Sequence, residues 1–577
     1  MPSNAEVASA LHEIADLLEI KGEARFRITA YRRGAESVDG SSRDVCDLNE
    51  TELQSLAGVG KGVAARVKEF CESGTMRSLE DLRAQVPIGL REMTRVPGVG
   101  PKRAMDLYKA IGVSNLEELK LAAEEKRISE VKGFGPKFEE QVLEAITRGV
   151  HVEGRTLLAR AIPMAQDLVD VLAQHPAIEQ VAFAGSLRRY RETVGDIDIL
   201  VATNAPEEVT SFFSKLHGIT KIAIEGTTKV SVETTRGMQM DLRVVEPDAW
   251  GAALQYFTGS QAHNVKVRER AVRLGFKLSE YGLFRDGERI ASHTEEEVYA
   301  ALGMQWIPPT MREDKGEVEA AVAGDLPQIV SIDLIRGDLQ SHTTYSDGRV
   351  SVLEMAVAAA DKGYAYYATT DHGPRLTYMR NLDADAIVMQ REEVARANEE
   401  LGGRIRVLHG VELNIAGDGS LDYPDDVLAG FDLCVASIHS QFRLSKSEQT
   451  RRLIRAIENP HVHVIGHPSG RRLDRREGID FDVAAVAKAA VKHSVALEIN
   501  AHPARLDLRD DHVRWAREQG ANFVISTDAH SVAELDNMHF GVATSQRGWA
   551  QPDSVINTWP LERLLAFLTK GTSAARP

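Results

Sequence analysis

Long apolar runs are missing from this 577-residue chain, so no stretch has the continuous hydrophobic length that crosses a bilayer. The N-terminal Met1-Pro2-Ser3-Asn4-Ala5-Glu6 has neither the basic start nor the apolar middle of a secretory signal. Cysteine is scarce: Cys46, Cys71 and Cys434 are odd in number and far apart. That spacing argues against a disulfide framework and a cysteine zinc site, and it fits a reducing cytoplasm. Low-complexity tracts are absent too, and 43% hydrophobic with 27% charged residues is an ordinary globular composition. Positive charge is in short supply. The net charge is −16, with 39 Lys+Arg against 46 Asp+Glu in residues 1–310 and 30 against 39 in residues 311–577. A nucleic-acid partner must therefore be met by local basic patches and backbone amides. Part of the acidic excess suits metal-binding carboxylates. The length exceeds one core and implies roughly three to five domains.

Residues 6–20 place Val7, Leu11, Ile14 and Leu18 at helical spacing, and helical patterning continues to about residue 150. Three related segments interrupt it: Leu56-Ala-Gly-Val-Gly-Lys61, Val96-Pro-Gly-Val-Gly-Pro-Lys102 and Val131-Lys-Gly-Phe-Gly-Pro-Lys137. Each precedes an amphipathic stretch, which makes an internal repeat of helix, glycine turn and helix. Strand patterns follow at 179–184, 197–202, 221–224, 229–233 and 238–245, then a mostly helical stretch to about 305. A proline- and charge-bearing segment, 311–331, reads as a linker. Beyond it, short strands ending in polar residues alternate with helices, as in a βα barrel whose functional residues gather at strand C-termini.

The first chemical cluster is Gly185-Ser186-Leu187-Arg188-Arg189, then Gly195-Asp196-Ile197-Asp198, then Asp241 among apolar residues. A Gly-Ser turn after a strand offers amides and a hydroxyl to a triphosphate, and the arginines can pair with its oxygens. Asp196 and Asp198 are two apart on a strand, so they face the same way. With Asp241 from a neighbouring strand they would cage two divalent ions. A lone Asp-x-Asp is usually a solvated strand end; the Gly-Ser turn and Asp241 shift the balance toward chemistry.

The second cluster is rich in histidine, with 12 of 18 histidines after residue 310. Asp371-His372, Glu412, His439, His467 and Asp528-Ala529-His530 each end an apolar strand pattern, and Gln340-Ser341-His342 and Asp347 join them. One such ending is commonly a satisfied polar residue. Five of metal-ligand type point to a multinuclear site at a barrel mouth.

The first set, with Met240-Asp-Leu-Arg243 and Tyr256-Phe-Thr-Gly-Ser260, resembles the family X DNA polymerases, the DNA polymerase beta group, from the N-terminus to about residue 310. The second set resembles the polymerase and histidinol phosphatase (PHP) domain, over about 332–577. The implied fold is multidomain α+β and α/β: helical N-terminal domains with helix-hairpin-helix motifs, a nucleotidyltransferase palm and a distorted βα barrel. The implied domains are 1–85 (small, helical, DNA-binding), 86–150 (fingers-like), 151–245 (palm), 246–310 (thumb-like, dNTP-binding), 311–331 (linker) and 332–577 (PHP).

The resemblance implies that Gly185, Ser186, Arg189 and Gly195 contact the triphosphate and that Tyr256, Phe257 and Gly259 line the sugar pocket. Asn264 would meet the base edge and Arg268 the template side. Asp196, Asp198 and Asp241 would hold Mg²⁺ or Mn²⁺, with Asp241 as base. Val265 and Gln239 depart from the family's eukaryotic members, which carry Lys and Arg there. The three glycine repeats would grip the DNA backbone through Gly58, Gly60 and Lys61, Gly98, Gly100 and Lys102, and Gly133, Gly135 and Lys137. Carbonyls of Gln54, Leu56, Val59, Thr94, Val96 and Val99 would bind Na⁺ or K⁺. A lyase lysine of some relatives is replaced by Arg66, with Gly62 at a supporting position and Lys61 one residue out of register; arginine cannot form the imine.

For the PHP part, the implied ligands are Gln340, His342, Asp347, His372, Glu412, His439, His467, Asp528 and His530, holding up to three Mn²⁺ or Zn²⁺ ions, with His439 catalytic. The family's first motif is His-x-His, so Gln340 replaces an imidazole. The resemblance implies a monomeric cytoplasmic enzyme that takes dNTPs and gapped or nicked DNA and fills gaps in repair. The PHP domain would add 3′-to-5′ exonuclease, with AP-endonuclease or 3′-phosphatase activity as an extension. Two rivals remain: a nucleotidyl transferase acting on something other than DNA, and a polymerase whose PHP domain is a structural scaffold.

Overall fold

The computed structural model describes residues 4–39, 45–56, 58–87, 89–94, 96, 98–147, 155–235, 237–375, 380–473 and 475–569. It divides into two compact units, Met1–Arg155 and Thr156–Pro577.

The first unit is helical. Val7, Leu11, Ile14 and Leu18 of helix Asn4–Lys21 are buried in one core with Val63, Val67, Leu79, Leu107 and Leu119 from later helices. The three glycine segments fold alike. Val59 N donates to Leu56 O, Val99 N to Val96 O and Phe134 N to Val131 O, and each turn feeds a helix starting at Lys61, Pro101 or Pro136. Gly58, Gly98 and Gly133 take φ of 82°, 87° and 99°, the left-handed region glycine enters without a Cβ penalty. Contrary to the composition-based expectation, Cys46 and Cys71 form a disulfide with Cα atoms 5.3 Å apart. The pair spans 25 residues of sequence and meets only because helix Lys61–Ser73 folds back onto the turn Val45–Asp47. Cys434 is buried and outside the disulfide.

The second unit contains, after helix Leu158–Ala173, a five-stranded sheet of Gln180–Phe183 (β1), Asp196–Ala202 (β2), Ile219–Glu225 (β3), Lys229–Thr234 (β4) and Gln239–Val245 (β5). The strand order is β1-β2-β5-β4-β3, and β2 and β5 are parallel neighbours. Residues 246–305 are less helical than expected. Between helices Gln261–Arg273 and Glu295–Ala301 lies an antiparallel sheet of Lys277–Ser279 (β6), Gly282–Arg285 (β7) and Glu288–Ala291 (β8). Asp286-Gly287, both at positive φ, closes its β7–β8 hairpin as a two-residue turn. That dipeptide is a strong hairpin signal that helical periodicity nearby obscured.

Segment 311–331 is packed rather than a loose linker. It carries helix Glu317–Ala323, and Arg312 and Glu317 are fully buried. Arg312 pairs with Glu295 at 2.6 Å and Glu317 with His263 at 2.7 Å, so the charges that suggested solvent are internal partners.

The last part is a parallel sheet in sequence order: Gly337–Asp338 (β9), Tyr366–Thr369 (β10), Arg406–Asn414 (β11), Leu433–Ser437 (β12), Val464–Gly466 (β13), Ala496–Asn500 (β14) and Asn522–Ser526 (β15). A parallel bridge from Ser341 to Ala529 brings the segments after β9 and β15 together, nearly closing a barrel. Alternation sorts the side chains. Tyr366, Ala368, Leu408, Val435 and Val524 form an inner core sealed by Trp559, Leu564 and Leu568, while Tyr367, Val407, Cys434 and Phe523 face the outer helices. With the inner core filled in this way, the polar residues after the strands are left for the opposite end.

Candidate active sites

On the five-stranded sheet, Asp198 stands opposite Asp241 in the parallel register, and Asp196 is two residues upstream on the same face as Asp198. Burial, then the charges of Asp196 and Asp241, push Asp198 up to about 7. Asp198 is thus held toward its protonated form by burial and by its two carboxylate neighbours. Gln239 donates to Asp241 Oδ1 at 2.9 Å, and Lys229 Nζ lies 3.6 Å from Oδ2. Gly185, at φ 58°, lies so close that a Cβ there would sit 2.0 Å from Asp198 Oδ2. The Gly-Ser turn and the carboxylates are thus one site.

Arg189 donates to Glu313 at 3.0 Å and to the Thr258 carbonyl at 2.5 Å, beside Gly259. Arg188, read from sequence as a phosphate partner, is committed internally to Glu295 and Thr258 Oγ1. Buried Asn264 donates to the Tyr256 carbonyl at 2.7 Å and accepts from Gln255 at 2.8 Å. Arg268 Nε reaches the Asn264 carbonyl at 3.3 Å. Tyr256 and Phe257 pack edge to face, and Arg243 lies over the Phe257 ring. Ser186 belongs to the short helix Gly185–Arg188, and Gly195 directly precedes β2. Glu313 and Glu295, which hold these arginines, carried no sequence signal.

In the first unit, Gly60 and Gly100 are helix N-caps with no side-chain cap, and Lys61 and Lys102 open those helices. Gly135 O caps the third helix by accepting from Glu139 N, with Lys137 at its start. Leu56 O and Val96 O already accept turn hydrogen bonds, while Gln54, Val59, Thr94 and Val99 flank the same two turns.

At the barrel mouth, Glu412 is central. His467 Nε2 is 2.9 Å from its Oε1, His439 Nε2 3.4 Å, and His372 Nδ1 and His342 Nε2 are 3.1 and 3.4 Å from Oε2. Asp528 Oδ1 is 3.0 Å from His342 Nε2, and Asp347 reaches His530 at 3.3 Å. Three overlapping groups have ligand atoms close enough for an ion: His342, Asp347, His372 and His530; His372, Glu412 and His439; His342, Glu412 and Asp528. Gln340 is buried beside them, and among the described residues neither amide atom has a hydrogen-bond partner.

Glu412 Oε2, His372 Nδ1, His439 Nε2 and His467 Nδ1 also lack a hydrogen bond of good geometry among the described residues, the 3.1 and 3.4 Å approaches of His372 and His439 to Glu412 being charge contacts only. Buried polar atoms without partners are costly, and so many donor atoms converging on one point fit divalent cations. Proton sharing reflects the crowding. Burial lowers His342, but Asp528, Glu412 and Asp347 outweigh it and hold it up to about 10, whereas burial takes His372 down to about 3. Asn414 Oδ1, 2.8 Å from His439 Nδ1, orients that ring. Glu498, buried and raised well above its usual range by burial and then Asp528, holds the His467 amide. Sequence reading missed it, although it occupies a polar position near the end of a strand like the rest.

Residues 2–76 match a helix-hairpin-helix domain, 90–148 a SAM-like helix-hairpin-helix tandem, 253–313 the DNA polymerase beta thumb and 338–502 the PHP domain. The DNA polymerase/3′-5′ exonuclease PolX of Bacillus subtilis (strain 168) is 38% identical over 569 residues, 98% of this chain and 99% of that protein. The chain belongs to the family X DNA polymerases that carry a PHP domain. Probable phosphatases of Shewanella sediminis (strain HAW-EB3) and Shewanella pealeana (strain ATCC 700345 / ANG-SQ1) are 29% and 31% identical over 243 residues, covering 40% of this chain and over 90% of each. This family X polymerase thus combines DNA-binding helical domains, a polymerase region and an exonuclease-type PHP domain, and both catalytic regions point to divalent metal use. No helix among the described residues is long and apolar enough to cross a membrane.

Proposed function

We propose that this polymerase fills short gaps in DNA during repair, extending a primer with dNTPs at the Asp196, Asp198 and Asp241 site. The observation that carries the reading is the in-register pairing of Asp198 with Asp241 beside Asp196 and the Gly185 turn. Two Mg²⁺ or Mn²⁺ ions bound there would supply Lewis-acid stabilisation of the attacking and leaving oxygens. Asp241, steadied by Gln239, would take the proton of the primer 3′-hydroxyl. Ser186, Arg189 and the Gly185 amide would hold the triphosphate, and Tyr256, Phe257 and Gly259 the sugar. Asn264 would meet the base edge, and Arg268 the template. Gapped or nicked duplex would be held by the glycine turns, two of them steadied by Na⁺ or K⁺. The protein would act as a cytoplasmic monomer.

The PHP cluster would hydrolyse 3′-terminal phosphodiesters, and by extension abasic sites or 3′-phosphates. The unpartnered donor atoms favour a working site over a scaffold, as does similarity to probable phosphatases. Its ions, Mn²⁺ or Zn²⁺, would supply an activated water. Glu412, His439 and His467 would bind on one side, Gln340, His342 and Asp528 on another, and Asp347, His372 and His530 on the third. The test is a gapped duplex with Mg²⁺ or Mn²⁺, with and without dNTPs. Extension with dNTPs and 3′ shortening without them is the expected pair of results. No extension would sink the polymerase reading, and no shortening at millimolar Mn²⁺ the exonuclease one.

A further inference from the structure

The three glycine hairpins differ in one chemical respect: the first carries the disulfide, and the second and third contain no cysteine. Cys46 sits in the turn Val45–Asp47, ahead of helix Glu50–Ser55, and Cys71 lies near the end of helix Lys61–Ser73. The bridge therefore closes a covalent ring around the whole unit. Both helices and the Gly58 turn between them fall within the 25-residue separation of the pair. The uncrosslinked hairpins make the same turn, with Val99 N donating to Val96 O and Phe134 N to Val131 O. A staple is thus not what lets such a hairpin form.

Nor does the first unit lack a core. Val45, Leu48, Val63 and Val67 are buried around the bridge, in one cluster with the apolar face of helix Asn4–Lys21. Disulfides that hold a domain together belong to small folds without such a core. Cys46 and Cys71 are themselves only half-buried at the edge of the cluster. The packing keeps turn and helix together when the bond is open, and the exposure leaves both sulfurs within reach of a small thiol. Where glutathione keeps thiols reduced, the disulfides that do form are usually transient and redox-sensing.

Resting on the reading that the glycine turns hold the DNA backbone, we infer that Cys46–Cys71 is a reversible thiol–disulfide site that sets how firmly the first hairpin grips DNA, with glutathione-type small thiols and disulfides as its chemical partners. In the oxidising direction one cysteine thiolate attacks glutathione disulfide and releases one glutathione. The second cysteine then displaces the other. Two protein thiols lose two protons and two electrons, and one glutathione disulfide becomes two glutathiones; reduction runs the same steps backwards. The bridged form already has the left-handed Gly58 and the Val59 N to Leu56 O bond that the other two turns share in kind. Closing the ring removes disorder that the open segment must otherwise lose on meeting phosphate. The disulfide form is the tighter binder. Linkage makes the effect reciprocal, so DNA favours the disulfide by the same factor.

The test uses the full chain, with thiols counted in denaturant: three in the reduced protein and one in the oxidised. The Kd for a gapped duplex should be about 5-fold or more lower for the oxidised form. Cys46→Ser/Cys71→Ser should bind like reduced wild type in either buffer. In glutathione buffers of graded ratio, saturating gapped duplex should move the midpoint of oxidation about 20 mV more negative, the equivalent of that 5-fold preference for a two-electron couple. Equal Kd for the two forms with an unmoved midpoint overturns the proposal. So does a protein that keeps three thiols in excess glutathione disulfide, or a redox response that survives in Cys46→Ser/Cys71→Ser. The wild-type comparison uses one polypeptide in two states, so it decides the matter even if the variant does not fold. Binding by neither form overturns the reading of the glycine turns themselves, a failure distinct from equal binding by both.

Discussion

Arg547 donates from Nη1 to the backbone carbonyl of Arg189 at 2.8 Å, joining residues 358 apart in sequence. The same guanidinium, almost fully buried, also meets Glu313 at 2.9 Å and Asp510 at 2.8 Å. Glu313 in turn holds the Arg189 side chain. A residue following the PHP barrel strands thus sets the backbone and the counter-ion of the arginine expected on the triphosphate. Phe540 and Leu506 extend the contact into the core of the five-stranded sheet, and Trp549 enters the core of the thumb region.

Arg547→Met should therefore act on both halves. Removing one partner from a buried pair typically costs about 3–5 kcal/mol, so the thermal midpoint should fall. Glu313, freed of Arg547, should hold Arg189 more tightly and raise KM for dNTP. Steady-state extension and a thermal melt check both. An unchanged KM in folded protein would show that the polymerase site does not depend on this contact.

Asp198 gives a pH dependence with a definite sign. Its folded pKa, about 7, lies above the usual carboxylate range, so its ionisation disfavours the ion-free fold. Without divalent ions, stability should decline as pH rises from about 4 toward 7. Mg²⁺ binds the ionised form, so its affinity should weaken as pH falls below about 7. Thermal melts and Mg²⁺ titrations across pH 5–8 measure this, and Asp198→Asn should flatten both slopes while abolishing incorporation. Slopes that persist in Asp198→Asn would assign them to another group.

Gly60 and Gly100 separate folding from DNA binding. A Cβ at either meets nothing within 4 Å, and φ of −81° and −74° suits any residue. Gly60→Leu and Gly100→Leu should leave the thermal midpoint nearly unchanged yet weaken gapped-DNA binding equally for all sequences, because the new side chain blocks approach to the phosphate. Gly58→Leu should destabilise instead, since Gly58 is left-handed and its Cβ would lie 2.9 Å from Arg33 Cβ. Full-strength DNA binding by Gly60→Leu would remove that turn from the interface.

Much of this was readable before the structure because the chemistry sits where strands end. Alternation put Asp196 and Asp198 on one face, and the βα repeat located His372, Glu412, His439 and His467. What stayed hidden depended on long-range pairing. Glu313 looked like linker charge until Arg547 and Arg189 met it, Glu498 lacked a histidine neighbour to mark it, and Cys46 found Cys71 only through the fold.

No lysine-type deoxyribose-phosphate lyase should be found in the first unit. Arg66 is held by Glu69 at 2.7 Å and its guanidinium stays protonated, so it offers no nucleophilic amine. Lys61 instead starts a helix at the glycine turn. Borohydride trapping on a 5′-incised abasic site reads this directly, and a covalent adduct mapped to Lys61 would contradict it.

Gln340 should make the PHP site depend steeply on added Mn²⁺. Its carbonyl is the only oxygen donor it can offer where the family has an imidazole, and a neutral amide is the weaker ligand for a transition metal. The amide is buried with both polar atoms unpartnered, so it is not held elsewhere. Dialysed protein should therefore lose 3′-end hydrolysis that returns at millimolar Mn²⁺. Gln340→His should lower the Mn²⁺ concentration needed for half-maximal rate, provided the ring fits beside Gly466, whose Cβ would already lie 3.2 Å from Gln340 Oε1. His439→Ala should erase hydrolysis while primer extension persists, because Asp196, Asp198 and Asp241 lie on a different sheet. If Gln340→His leaves the Mn²⁺ dependence unchanged in protein that binds the ion by calorimetry, residue 340 is not a ligand and the cluster is completed by Glu412, Asp528 and His342 alone.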